Sequence, residues 1–140
     1  MARNRRGESG QATLELVLLA IPLLALFLLA VAFGRWGEAK GVISDAADAA
    51  AQAASVTSGG PDAQAAAQQA AAGVIGSHQI ECASPGVVVT LGAVPGGTET
   101  ATVSCTASAA QVLLPGLPGS LTLSGAETAV VRPYRSGPGI

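Results

Sequence analysis

The sequence contains few of the residues on which enzymes and large hydrophobic cores depend. Aromatic residues make up 3% of its 140 residues and charged residues 11%, and it holds one histidine and two cysteines. So few bulky side chains leave room for one small domain and no large core. No aspartate or cysteine completes a metal-site pattern with His78, and nothing marks a serine as activated by a base. We therefore predict no catalytic residue, metal, cofactor or small-molecule substrate.

Positive charge is also scarce once the N-terminus is passed. Residues 1–10 hold Arg3, Arg5, Arg6 and Glu8, and the remaining residues include four basic and eight acidic ones. No basic patch forms downstream, so binding to nucleic acid has no electrostatic basis.

What the sequence does contain is a long apolar run. Residues 16–33 carry no charge, about the length that a helix needs to cross a bilayer. Their Leu, Ile, Val and Phe side chains favour insertion by about 4–8 kcal/mol. A carboxylate at mid-bilayer costs only about 2.5–3.5 kcal/mol, so the segment inserts despite Glu15. Pro22 predicts a kink, which membrane helices tolerate.

The flanking residues predict how this segment lies in the membrane. Basic residues precede it, which places the N-terminus in the cytoplasm and the rest of the chain outside the cell membrane. We predict a transmembrane helix over residues 11–34, with Arg35 and Trp36 at the outer interface.

The N-terminus has the pattern of a class III, or prepilin-type, signal. A short basic leader ends in Gly10, and Glu15 is the fifth residue after it. This predicts a leader over residues 1–10, with cleavage between Gly10 and Gln11. The competing interpretation is a conventional signal segment cut after the Ala30-x-Ala32 motif. The apolar run is longer than the usual seven to fifteen residues, and Glu15 interrupts its start. Under that alternative the chain is a single-pass or secreted cell-envelope protein with no role in pili.

The same stretch resembles the N-terminus of TadE-like pseudopilins of the tight-adherence (Flp-type) pili, a subclass of type IV pili. The matching positions are Gly10, Gln11, Ala12, Thr13, Leu14, Glu15, Phe33, Gly34 and Arg35. The close match covers residues 1–40, and a looser one continues toward residue 55. The resemblance implies a minor pilin or assembly factor at the cell surface. Its partners would be a prepilin peptidase, other pilins and the assembly platform, and Glu15 would pair with the N-terminal amine of an adjacent subunit.

The helix is expected to continue beyond the membrane over residues 35–57, because alanine favours helix and no breaker intervenes. Val42, Ala46, Ala49 and Ala53 share a face by helical spacing, and Asp45, Asp48 and Gln52 mark the wetter side. Residues 58–73 form a linker and a second Ala-rich helix, predicted over 62–72 with Gly73 as its stop.

Residues 74–135 are predicted to form a small β-rich ectodomain, followed by a disordered tail over 136–140. Strands are expected over 80–82, 87–91, 100–108 and 121–131, with an antiparallel turn over 93–97. The alternation is clearest in 100–108, which indicates one buried face and one wet face. The apolar loop 113–119 is expected to cover the sheet, with contact to a partner as the alternative. The predicted fold class is α+β, in which a long transmembrane helix extends into an Ala-rich rod.

The two cysteines, Cys82 and Cys105, both follow the membrane segment. Outside the membrane a disulfide is the natural state of such a pair, and it would close a loop of about 24 residues. Two free thiols are the alternative.

Overall fold

The computed structural model describes residues 8–57, 60–83, 86–94 and 97–131, with side chains for all of these except 8–12, 93 and 94. Most of the predicted leader and the whole of the predicted tail lie outside the described residues. The elements are α1 (Glu8–Val56), α2 (Pro61–Ser77), β1 (Val88–Val94), β2 (Thr98–Ser108), α3 (Ala109–Val112) and β3 (Ser120–Val130). The predicted α+β class, with one long apolar helix, a second helix and an antiparallel sheet, is confirmed.

Helix α1 is a single helix of 49 residues, about 73 Å long, with Pro22 inside it. Helical φ/ψ angles continue through the predicted end of the membrane segment into the Ala-rich rod. The helix ends at Val56, where the hydroxyl of Thr57 donates to the carbonyls of Ala53 and Ala54 at 3.0 and 2.9 Å. The two carbonyls share the one hydroxyl hydrogen, and the Ala54 carbonyl also accepts from the Thr57 N–H at 3.2 Å, so the helix C-terminus has local partners.

Helix α2 is longer than predicted, because it does not stop at Gly73. It continues to Ser77 and ends in a Schellman motif, in which the Ile80 N–H donates to the Ile75 carbonyl at 3.4 Å. Ala63, Ala67, Ala71 and Ile75 form a buried stripe with four-residue spacing. Ile75 is 2% exposed, and its packing offsets the cost of about 1 kcal/mol that Gly73 imposes on a helix interior.

The three strands form an antiparallel sheet in the order β1–β2–β3. Val89 pairs with Val103, and Val103 pairs in turn with Gly125. The predicted strand over 80–82 is wrong. Residues 80–83 have no regular structure, and one backbone hydrogen bond, from the Ala83 N–H to the Thr106 carbonyl at 2.7 Å, joins them to β2 beside the Cys82–Cys105 disulfide. Between this segment and β1 the Gly86 N–H donates to the Ala83 carbonyl at 2.7 Å, and pairing with β2 begins only at Val88.

Helix α3 was not predicted. Its single turn is started by Ser108, whose hydroxyl accepts a hydrogen bond from the Gln111 N–H at 3.3 Å. The loop after it covers the sheet only at its start. Leu113 packs against the core, but Leu117 is 41% exposed, so the expectation that the whole loop 113–119 covers the sheet is wrong.

The core lies between the two helices and one face of the sheet. Helix α1 crosses β2 and β3, and α2 crosses β1. On β2 the inward residues are buried and the outward ones are threonine and serine, as the alternation predicted. On α1, Val42 and Ala46 are buried as expected, but Ala49 and Ala53 are only half-buried. Other buried residues on this part of α1 include Ile43, Ala47, Ala50 and Ala54. The buried face is wider than predicted because α1 contacts α2 on one side and the sheet on another.

Two contacts position α1 on the sheet. A Cβ at Gly125 would lie 3.2 Å from the Ile43 carbonyl oxygen, so glycine is what allows the helix backbone to approach β3 this closely. Next to it, the Ser44 hydroxyl donates to Glu127 Oε1 at 2.8 Å. We call the packed residues 39–131 the globular unit, residues 39–54 of α1 the alanine segment, and residues 13–34 the apolar segment.

Candidate functional site: the apolar segment and its junction

The apolar segment has no protein neighbours to bury it. Leu16 is 70% exposed and Phe27 is 64% exposed, and the most apolar window of α1 has a mean hydropathy of 3.0 with none of it buried. By length and composition α1 is able to cross a membrane once, although a signal segment would meet the same test. Large apolar side chains with no core around them require lipid or another apolar partner. The helix is thus compatible with single-pass anchoring.

Glu15 is the acidic residue within the first turns of this segment. It is exposed, and none of the side chains that the structure describes bonds to it or pairs with it. Gly10 and Gln11 lie one turn earlier, at the start of α1. In one chain Gln11 and Glu15 differ in height by about 6 Å.

The far end of the apolar segment has the residues of a membrane interface. Arg35 is exposed, and Trp36 is 41% exposed. The ammonium of Lys40 lies 5.4 Å from the centroid of the Trp36 ring, a cation–π contact. Trp and Lys both favour the headgroup region, since each combines an apolar body with a polar end. Sequence reasoning named Arg35 and Trp36 as interface residues and left out Lys40, whose contact with Trp36 the four-residue spacing on a helix could have indicated.

The predicted disulfide joins Cys82 to Cys105, with Cα atoms 5.4 Å apart and a sequence separation of 23. Cys105 lies on the buried face of the central strand and is 1% exposed. The bridge therefore fastens the segment after α2 to the middle of the sheet.

Nothing in the described part of the chain gathers three or more His, Cys, Asp or Glu side chains into a group that could hold a metal ion. His78 is exposed at the C-terminal end of α2.

Residues 10–52 match the family model of TadE-like proteins. Over this N-terminal part, the chain is TadE-like. The match begins at Gly10, includes Glu15 and the entire apolar segment, and ends within the alanine segment. This match supports a general association with tight-adherence pili. No curated protein and no solved structure matches it. The TadE-like match thus covers the apolar segment and most of the Ala-rich rod, and it does not extend to α2 or the sheet.

Sequence reasoning missed the residues that hold helix α1 against the sheet. Ile43, Ser44, Gly125 and Glu127 form the contact between α1 and β3. They lie more than eighty positions apart, with Ser44 and Glu127 separated by 83. Helical or strand periodicity marks each residue's face but carries no information on which faces meet.

Proposed function

We propose that this protein is a minor pilin, or pseudopilin, that acts in the assembly of a tight-adherence pilus. A prepilin peptidase would cleave it after Gly10, and the mature chain would stay in the cell membrane through the apolar segment. The N-terminus would face the cytoplasm and the globular unit the outside. In this proposal the role is structural, and the chain carries out no catalysis.

The observation that carries the proposal is the position of Glu15. It is an exposed carboxylate at the entrance of a segment whose other side chains suit only an apolar medium. An isolated carboxylate in lipid is strongly unfavourable unless it is paired or protonated. Cleavage after Gly10 would create a cationic amine at Gln11, since an α-amine has a reference pKa of about 7.7–8.0. The TadE-like match supports pairing of that amine with Glu15 of an adjacent subunit.

Such a pair would act mainly on assembly. Attraction between the two charges offsets their loss of water, and the requirement that they meet fixes the height of one helix against the next. The pair would therefore specify the register of neighbouring subunits. Insertion into the membrane would not depend on it.

Variants of Glu15 test this role. Glu15→Gln should leave insertion and leader removal intact, because a neutral amide is cheaper to place in lipid than a carboxylate. It should reduce cross-linking to partner pilins by roughly tenfold or more, since the amine then lacks its counter-charge. Glu15→Asp should fall between. Asp48→Asn is the matched control, because Asp48 is an exposed carboxylate of the same helix that lies in the globular unit. Equal cross-linking for Glu, Gln and Asp at position 15 would contradict the proposal.

Leader removal has its own test. Gly10→Val should block cleavage, because the peptidase requires a small residue at the cut. Loss of residues 1–10 from the Gly10→Val variant would exclude Gly10 as the recognised position.

A second candidate rests on Ala30 and Ala32, the small residues near the end of the apolar run. If a conventional signal peptidase cuts after them, the mature protein begins at Phe33, loses the apolar segment and is secreted without a role in pili.

A further inference from the structure

A cavity of about 360 Å³ lies where the apolar segment meets the globular unit. One wall is the stretch of α1 from Arg35 to Val42, and the others are the turn after α2 and helix α3. Its volume is at the lower end of the range for small-molecule sites. Val42 and Val112 are buried and form an apolar floor. The polar side chains that line it are Arg35, Glu38, His78, Gln79 and Gln111.

The height of this cavity matches that of lipid headgroups. Arg35 directly follows the predicted membrane segment, and Val42 lies about 10 Å further along the helix. The headgroup layer of each leaflet is about 5–7 Å thick. The α1 wall of the cavity thus begins inside this layer and ends just above it.

Two opposite charges line the cavity without neutralising each other. Arg35 and Glu38 are three residues apart on one helix, a spacing at which such side chains commonly pair. Within the described residues neither of them makes an ion pair, and both face the cavity. A guanidinium is the preferred protein group for phosphate, and a carboxylate accepts hydrogen bonds from an ammonium group. The two charges together fit a ligand that carries both phosphate and amine.

Gln79 adds an unusual backbone to the rim. Its φ is +58°, and it occupies the left-handed position of the Schellman motif that ends α2. Glycine is the usual residue there, because a side chain makes the left-handed conformation costly. The turn itself therefore does not call for glutamine. What glutamine adds is a side-chain amide at the cavity.

Of the two other polar residues at the cavity, His78 is exposed, and Gln111 is held in place by hydrogen bonds. The side-chain amide of Gln111 donates to Glu81 Oε2 at 3.3 Å, and its N–H is bonded to the Ser108 hydroxyl. These two bonds hold Gln111 on the α3 wall of the cavity.

We infer that this cavity holds the headgroup of a zwitterionic phospholipid with a primary amine, taken from the leaflet next to the globular unit. Arg35 binds the phosphate, Glu38 accepts from the ammonium group, and the amide of Gln79 donates to a phosphate oxygen. An anionic lipid fits less well, because it would place its extra negative charge near Glu38. A bound headgroup would fix the height and tilt of the globular unit on the membrane. The inference rests on membrane anchoring and is independent of any role in pili.

The test uses the full chain in lipid nanodiscs with equal amounts of phosphatidylethanolamine, phosphatidylcholine and phosphatidylglycerol, with native mass spectrometry of the released protein. We expect one retained lipid per chain, predominantly phosphatidylethanolamine, because the trimethylammonium group of phosphatidylcholine cannot donate to Glu38. Arg35→Gln should lower retention by about tenfold. Asp45→Asn is the control, since Asp45 is an exposed charge of the same helix that does not line the cavity, and it should retain lipid like the unmodified chain.

Two further variants separate binding from folding. Glu38→Gln should abolish the preference for phosphatidylethanolamine over phosphatidylglycerol. Gln79→Gly should relieve the left-handed strain, so the globular unit should be at least as stable as before while lipid retention falls by about threefold.

Several results would overturn the inference. These are equal lipid retention in Arg35→Gln and Asp45→Asn, a preference for phosphatidylglycerol, or a preference for phosphatidylethanolamine that survives in Glu38→Gln. Equally strong binding of inorganic phosphate or glycerophosphoethanolamine to the chain in detergent would identify a site for a soluble phosphate and would also overturn it. No pilus is present in this experiment, so failure here leaves the proposed assembly role unaffected.

Discussion

Helix α1 is one continuous helix in two environments, and its two parts use opposite kinds of side chain. The apolar segment carries Leu, Ile, Val and Phe and exposes nearly all of them. The alanine segment buries eight of its residues, six of them alanine, against α2 and the sheet. In a soluble protein the large side chains would form the core, whereas here the core is built from small ones.

The difference follows from what each segment contacts. Lipid tails adapt to any apolar surface, so the apolar segment needs large apolar side chains but no particular surface shape. Each alanine of the alanine segment buries little apolar area. The packing of this segment therefore depends on close approach of the helix backbone to the sheet, as at the Ile43–Gly125 contact. Stability of the globular unit should therefore respond to changes in the fit at α1 and to the disulfide, and should be insensitive to the composition of the apolar segment.

Removal of the disulfide should have the largest effect. Replacing both Cys82 and Cys105 by alanine should lower the free energy of unfolding of the globular unit by about 3 kcal/mol on the chain-entropy model. Insertion of the apolar segment should not change. The measurement is urea unfolding of the full chain in detergent, followed by hydrogen exchange of the strands. An unchanged urea midpoint would show that the small core needs no covalent support.

The same substitution in the two segments should give different results. Ala50 is 0% exposed, so Ala50→Leu forces bulk into a filled core and should destabilise the globular unit by about 1–3 kcal/mol. Ala25→Leu is its matched control, because Ala25 is exposed in the apolar segment and an added leucine meets only lipid. Both are read by the same unfolding experiment. Equal destabilisation by the two variants would remove the distinction between the segments.

Loss of the helix-to-strand hydrogen bond should have the smallest effect. Ser44→Ala removes the donor to Glu127 and should cost about 1 kcal/mol of stability. Ser55→Ala is the control, since that hydroxyl donates to the Gln52 carbonyl within the same helix and faces solvent. It should change stability by less than about 0.5 kcal/mol. A Ser44→Ala variant as stable as Ser55→Ala would mean that this contact does not help position α1.

The fold could be predicted from the sequence wherever one local pattern decides the structure. The charge-free run predicted the long helix, and the alternation around Val103 and Cys105 predicted the central strand and its buried face. Prediction of the elements failed where contacts between them override the local sequence pattern. Gly73 suggested the end of α2, but packing of Ile75 carries the helix past it. The stretch 80–82 has strand-forming residues but is held by the disulfide and one hydrogen bond without joining the sheet.

The candidate site divides in the same way. Gly10, Gln11 and Glu15 belong to one short motif, so the sequence alone suggests them, and their roles remain predictions. The cavity beside Arg35 joins residues of α1, the turn after α2 and α3, so it exists only once those elements pack together. Periodicity places each residue on its own element and does not reveal a site formed between elements.

The mature N-terminus tests the central claim, that the apolar segment is a retained membrane anchor whose leader is removed after Gly10. The measurement is the intact mass, with N-terminal sequencing, of the protein isolated from membranes of a host that has a prepilin peptidase. We predict a membrane-bound chain that begins at Gln11. A chain beginning at Met1 would contradict leader removal, and one beginning at Phe33 would show that the apolar segment is a discarded signal.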